Sequence, residues 1–386
     1  MANTLPERPP VIAGHSHIRL LGRGGFADVF LFEQNMPRRF VAVKVLHHDV
    51  VDADVLRMFN AEADVMARLS AHPSILTVYD ASISADGRPY LVMELCPGSM
   101  GSRFRVERIP VVEVLNAGVK IASALETAVR SNVLHRDIKP SNVLITTFGT
   151  PVLADFGIAS SLAGSQRDDF FAMSVPWSAP EVVAERTAGT VASEVWALGA
   201  TLYSLLAGKT PFEVDGAGQN SREKLIPRIE RAAYVPIARP DVPEALQQVL
   251  RRTMDRDPSR RQTSLLEVAT DLQRVQFDLG IMPTALEVAS EGWASTTGSG
   301  ALDFNDSSQR GPVISTVAHE SKRARSRREP EAGRAITDTD IDAFGLQPTT
   351  PRRSRFGLRA ALVIVGVVVL VAIGALIAAA VIGRAG

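Results

Sequence analysis

The sequence predicts an α+β architecture in two lobes, a small β-rich one and a larger helical one, followed by a disordered linker and a single transmembrane helix. Three observations carry this. Strand-like apolar patches crowd the N-terminal part, helical periodicity dominates after residue 110, and a charge-free apolar run lies near the C-terminus. The expected boundaries are a flexible N-terminus over 1–14 and a catalytic-sized domain over 15–280, its lobes meeting near residue 95. A tether over 281–358, a membrane helix over 359–383 and a short tail over 384–386 follow.

In order, the strand-like patches are Ile18–Leu21, Asp28–Phe32, Phe40–Leu46, Leu76–Ser84 and Pro89–Glu94. A helix interrupts them, because Val55, Met58, Phe59, Val65, Met66 and Leu69 recur at helical spacing. Val111–Arg130 reads as one long amphipathic helix. Ser193–Gly208 is nearly all apolar, yet it is too short to span a bilayer and contains Glu194, so it reads as a core helix. Pro243–Met254 and Ser264–Leu279 close the domain. A strand-rich part joined to a helix-rich part implies a cleft between them.

Hydrophobic residues make up 46% and charged residues 22%, enough for a substantial core. The formal net charge is zero, so no global basicity points to nucleic acid. Cys96 is the single cysteine, which excludes an internal disulfide and suits a reducing compartment. Met1–Gly14 lacks a charged segment followed by an apolar one, so no signal peptide is read there.

The tether is rich in Ser, Thr, Gly, Arg and Pro and shows no apolar period. Its arginines suit either anionic lipid or solvent equally well. The 24 residues Ala360–Gly383 carry no charge. As a helix they reach about 36 Å, against a hydrocarbon core of about 30 Å. Arg352, Arg353, Arg355 and Arg359 precede them and only Arg384 follows, which orients the main domain to the cytosol at the plasma membrane. Gly374 and Ala378, or Ala375 and Ala379, offer the small-residue spacing of a homodimer contact.

The chemistry lies in four stretches. Gly22, Arg23, Gly24 and Gly25 sit between two predicted strands, where a Cβ-free backbone approaches phosphate oxygens. A strand rather than a helix follows, which argues against a dinucleotide turn. Val41-Ala42-Val43-Lys44 places a lysine on an apolar strand, where a carboxylate must hold it; Glu62, on the apolar side of the next helix, is the candidate. His135-Arg136-Asp137-Ile138-Lys139-Pro140-Ser141-Asn142 brings a base, a cation and a metal ligand into one tight loop. Ala154-Asp155-Phe156-Gly157 and Ala179-Pro180-Glu181 follow in order. Asp137 would orient a hydroxyl, Lys139 would neutralise a transferring phosphoryl group, and Asn142 with Asp155 would hold Mg²⁺.

With these motifs in this order, the sequence resembles the protein kinase family, and in particular the bacterial serine/threonine kinases of eukaryotic type that carry a membrane helix. The resemblance spans about residues 15–280. It implies a two-lobed protein kinase fold, ATP with Mg²⁺ (or Mn²⁺), and protein substrates bearing serine or threonine, the chain itself included. Lys139, two residues after Asp137, is the serine/threonine pattern. By the same resemblance Met93 is the gatekeeper, Glu94, Leu95 and Cys96 form an adenine-binding hinge, and Val29, Ala42 and Leu144 enclose the ring. Cys96 is there a backbone position rather than a reactive thiol. Glu181 would pair with Arg261.

The chain departs from the family at several points. Ala27 replaces a loop glycine, and Glu194 stands where an aspartate anchors the catalytic loop, leaving its extra methylene to be absorbed. Met173, Ser174 and Trp177 replace the usual glycine, threonine and tyrosine, though Ser174 keeps a hydroxyl for Asp137 and Lys139. Ser160, Ser161 and Ser165 are the activation-loop phosphoacceptor candidates, and Asp168 and Asp169 would partly substitute for phosphate beside Arg136. Glu194 and the altered groove leave one rival reading, a catalytically weak scaffold that binds nucleotide and partners; a small-molecule kinase is a third, against which the Ala179-Pro180-Glu181 segment argues by the resemblance.

Overall fold

The computed structural model describes residues 9–51, 53–156 and 174–288; the side chains of Val50, Ala53, Asp54, Met58 and Glu62 lie outside that description. The first lobe is a five-stranded antiparallel sheet in the order β1-β2-β3-β5-β4. Its strands are β1 (His15–Arg23), β2 (Ala27–Asn35), β3 (Arg38–Leu46), β4 (Val78–Ile83) and β5 (Pro89–Glu94), with helix α1 (Ala53–Leu69) between β3 and β4. Period-2 alternation decides which side chains face the cleft. Val41, Val43 and Val45 of β3 join Phe30, Phe32, Tyr90 and Val92 in a core on one face. Ala42 packs on the opposite face with Leu76 and Met93, and Lys44, two residues on, shares that face.

The second lobe begins with β6 (Gly98–Ser99), α2 (Met100–Arg103) and the long α3 (Val111–Arg130). Two three-residue strands, β7 (Val143–Ile145) and β8 (Pro151–Leu153), pair antiparallel behind the catalytic loop. Then come α4 (Pro180–Val183), α5 (Val191–Ala207), α6 (Arg222–Arg231), α7 (Glu244–Thr253) and α8 (Leu265–Asp278). The core is built on α3 and α5, whose Leu115, Val119, Leu125, Trp196, Leu202 and Leu205 are buried. Each such aliphatic side chain stabilises the fold by about 1.5–3 kcal/mol.

Helix α5 positions the site, and its start is locally encoded. Thr190 caps it by accepting the Ser193 amide, while Ser193 Oγ accepts the Thr190 amide. Gly208 ends it at φ 75°. In between, Gly199 lets α5 meet α7 closely: a Cβ there would lie 2.0 Å from Thr253 Oγ1.

The structure adds elements that the periodicity misses: α2, α4, α6 and the short strands β6, β7 and β8. Helix α6 buries only Leu225 and Ile229 and contains Pro227, so its sequence reads as polar loop. Residues 281–288, read from composition as the start of the tether, hydrogen-bond to α3 and α8. The rest of the expected tether, the apolar run, and the candidates Ser160, Ser161, Ser165, Asp168, Asp169 and Met173 lie outside the described residues. Among the described residues, no helix is long and apolar enough to cross a membrane.

Candidate active site

The catalytic loop is held from below by one buried carboxylate. Glu194, on the first turn of α5, accepts the His135 amide on Oε2 at 2.8 Å and the Arg136 amide on Oε1 at 2.9 Å. The extra methylene of Glu194 is therefore accommodated, and its carboxylate meets both amides. This clamp matters because Arg136 sits at φ 64°, a conformation costly for a non-glycine residue. Burial pushes the Glu194 carboxyl up to about 7, against the two amide bonds that favour its ionised form.

His135 locks the other side. Its Nε2–H donates to Ala154 O at 3.0 Å and its Nδ1 accepts the Asp137 amide at 3.2 Å. The ring also packs on Phe156 at 4.6 Å between centroids. Burial drives the His135 pKa down, which keeps the ring neutral and this pair of bonds intact.

On this support the reactive groups converge. Asp137 Oδ1 accepts Ser174 Oγ–H at 2.6 Å. Asp137 Oδ2 meets Lys139 Nζ at 2.8 Å and accepts Asn142 Nδ2–H at 3.1 Å. Lys139 also donates to Ser174 Oγ at 3.1 Å, so Ser174 does bridge the two groups. Asn142 turns its amino group to Asp137, with a second bond to the Asp137 carbonyl at 2.8 Å, leaving its amide oxygen turned the other way.

Across the cleft, Lys44 Nζ donates to Asp155 Oδ1 at 2.7 Å. The Lys44 ammonium holds the Asp155 carboxyl below the usual carboxylate range, more than burial raises it. Asp155 sits at φ 57°, and its side chain is half exposed to the cleft. Glu62 lies on α1, but its side chain is outside the described residues, so only the lysine half of the expected pair is placed.

Beside these groups is an apolar cluster. Val29, Ala42, Met93, Cys96 and Leu144 fall into one cluster, together with Leu21, Leu76, Leu95, Val152 and Ala154. Sequence reasoning missed Leu21, Val152 and Ala154; the available signal was their position, one residue from Gly22 and one or three from Asp155. Glu94 belongs to the expected hinge, but its amide already bonds Thr77 O at 2.9 Å. Of Gly22, Arg23, Gly24 and Gly25, the first two close β1 and the others form the turn. A Cβ at Gly22 or Gly25 would meet nothing within 4 Å, so the cradle is open to a ligand. Ala27 opens β2 without a positive φ, so the missing glycine causes no backbone strain.

The donor set fits Mg²⁺ bound to a nucleotide. Among the described residues no cluster of three or more His, Cys, Asp or Glu could hold a metal. A carboxylate and an amide oxygen, here Asp155 and Asn142, are what Mg²⁺ takes from a protein when phosphates and water complete its shell.

Burial and the nearby Glu94 push the Cys96 thiol up to about 12. Native protein at pH 7.5 is therefore expected to react with a disulfide reagent at least about tenfold more slowly than unfolded protein, by thiol titration.

Farther down, Arg261 donates to both Glu181 oxygens, at 2.7 and 2.9 Å, and to the Asp255 and Ala192 carbonyls. Its guanidinium lies 4.9 Å from the Trp196 ring. Lysine keeps the charge but loses the fork. Arg261→Lys is expected to cost about 1–3 kcal/mol of stability, read as a lower thermal midpoint with the fold retained.

Comparison with known proteins gives the same family. The protein kinase domain family matches residues 15–277. Serine/threonine-protein kinase PknK of Mycobacterium bovis is 38% identical over 291 residues, covering 72% of this chain and 25% of that protein. The probable serine/threonine-protein kinase PknB of Lactococcus lactis is 33% identical over 265 residues, 66% of this chain and 41% of the relative. PrkC of Bacillus subtilis is 32% identical over 269 residues, 68% of this chain and 40% of the relative. The matched region thus spans well under half the length of these relatives. With the catalytic loop, the Lys44–Asp155 pair and the apolar cluster in place, the chain belongs to the protein kinase domain family.

Proposed function

We propose that this chain transfers the γ-phosphoryl group of ATP to serine and threonine hydroxyls of proteins, itself included, while held at the cytosolic face of the plasma membrane by its C-terminal apolar run. One observation carries the catalytic part: Asp137, on a clamped loop, is bonded to Lys139, Asn142 and Ser174, facing the Lys44–Asp155 pair.

The adenine packs on the cluster of Val29, Ala42 and Leu144 and the hinge backbone at Cys96. The turn at Gly24 and Gly25 covers the phosphates, and Lys44 supplies a cation to them. Mg²⁺, when bound through Asn142 and Asp155, neutralises phosphate charge. Asp137 accepts a hydrogen bond from the substrate hydroxyl at the position where it now accepts one from Ser174 or beside it, orients the oxygen and takes its proton. Lys139 offsets the charge that develops on the transferring group. The membrane reading rests on the length of Ala360–Gly383 and the arginines before it. Dimerisation through that run is part of the same reading.

The test is incubation of the full chain in detergent with Mg²⁺ and γ-labelled ATP, alone and with a basic protein substrate, beside Asp137→Asn. Label on serine or threonine that vanishes in the variant supports the reading. Nucleotide binding without any transfer would favour a scaffold, and label appearing on a metabolite but never on protein would favour a small-molecule kinase.

A further inference from the structure

Helix α8 ends at Asp278, and at Gly280, φ 71°, the chain turns back along the large lobe. Residues 281–288 are then tied down at two points. The first is Thr284. Its amide donates to Gln276 Oε1 at 2.8 Å, and its hydroxyl oxygen accepts Gln276 Nε2–H at 2.8 Å and Asn116 Nδ2–H at 3.2 Å. Its carbonyl accepts Gln273 Nε2–H at 2.7 Å. Gln276 is 1% exposed, so this is a built anchor rather than a surface contact.

The second point is Glu287, which reaches the connection between α1 and β4. The Glu287 carbonyl accepts His72 Nε2–H, and its carboxylate lies 3.2 Å from Lys120 Nζ of α3 and 3.5 Å from Ser74 Oγ. His72 Nδ1 in turn accepts the Ser74 amide at 3.0 Å. Ser74 O accepts the Leu153 amide, and Leu153 O accepts the Leu76 amide, both at 2.9 Å. Leu153 ends β8, two residues before Asp155. One run of hydrogen bonds therefore joins residue 287 to the strand that leads into Asp155, through the same connection that follows α1.

We propose that residues 281–288 act as a strap and that Glu287 is a positioning residue for phosphoryl transfer, fixing the α1–β4 connection and thereby β8 and Asp155. The inference rests on the kinase reading of the site. It makes the tether depart from a point wired to the active centre, so displacement of the chain near Val288 changes turnover.

The experiment uses the full chain carrying Glu287→Ala, Lys120→Glu, and the swap Glu287→Lys with Lys120→Glu. Steady-state kinetics, equilibrium nucleotide binding, thermal midpoint and amide hydrogen exchange are measured on each. For Glu287→Ala, kcat is expected to fall roughly three- to tenfold while ATP affinity changes less than about twofold, because the apolar cluster is untouched. Exchange rises locally over residues 72–76 and 153–155, and the charge swap restores both readouts. Wild-type kcat with wild-type exchange overturns the strap. Faster local exchange with unchanged kcat overturns positioning, and uniformly faster exchange with a collapsed midpoint reduces Glu287 to a fold-stabilising residue. Failure of the kinase reading is seen separately, as a wild-type chain that binds nucleotide and transfers nothing.

Discussion

Asp137→Asn is expected to lower phosphoryl transfer by roughly 10²-fold or more, with nucleotide binding kept within a few-fold. The carboxylate receives three donors: Ser174 on Oδ1, and Lys139 and Asn142 on Oδ2. Asparagine has the same shape but can accept on only one of those two positions. Whichever way the amide turns, an N–H faces a donor, and the group can no longer take a proton from a hydroxyl. The contacts proposed for the nucleotide lie elsewhere, on the apolar cluster, the glycine turn, Lys44 and Asp155. Single-turnover transfer at saturating ATP checks the rate, and calorimetric titration checks binding. If binding fell as far as the rate, Asp137 would be a nucleotide-holding residue rather than the base.

Much of this site is legible in the sequence because it is written in short segments of fixed local geometry. Asp137, Lys139 and Asn142 lie within six positions, and a loop that short leaves little freedom in where they point. Lys44 is equally legible, since strand alternation alone assigns it to the face of Ala42. Helix α3 is read residue for residue at Val111–Arg130 because its apolar residues run through the whole segment, although the helix is buried all round from Ile121 to Ala128 rather than on one face. Helix α6 is not, because the segment is mostly polar and charged around Leu225 and Ile229, with a proline inside. Strands β7 and β8, at three residues each, are too short to show a period. The contacts of residues 281–288 are invisible for another reason. They are side-chain and carbonyl bonds to Gln273, Gln276, Asn116 and His72, distant in sequence or hidden in a helix face, and the segment itself has the composition of a linker.

The position of Glu194 shows where sequence reasoning stops. One methylene decides whether a carboxylate 58 and 59 residues from its partners reaches both amides, and only coordinates resolve that.

Glu194→Gln is therefore expected to reduce turnover by roughly ten- to a hundredfold and stability by about 1–3 kcal/mol. The amide oxygen can accept one of the two N–H groups, but the amide nitrogen then meets the other, donor against donor, in a site 2% exposed. Either the His135 or the Arg136 amide loses its acceptor, so the strain of Arg136 at φ 64° is offset less and the loop bearing Asp137 loosens. The wild-type residue also links pH to both properties. Its carboxyl titrates near 7 in the folded chain against an ordinary value of 4.5, so between those limits the folded state binds more protons than the unfolded one. Its contribution to stability is then fully present below about 4.5 and is lost as pH rises through about 7. Turnover should run the other way, because the ionised carboxylate is the form that accepts both amides. From pH 5.5 to 8 the wild type is thus expected to gain rate while losing thermal midpoint relative to Glu194→Gln, whose midpoint lacks this component. Paired pH–rate and pH–melting curves measure it. Parallel curves for the two proteins would mean that Glu194 stays in one protonation state, and that the clamp works without titrating.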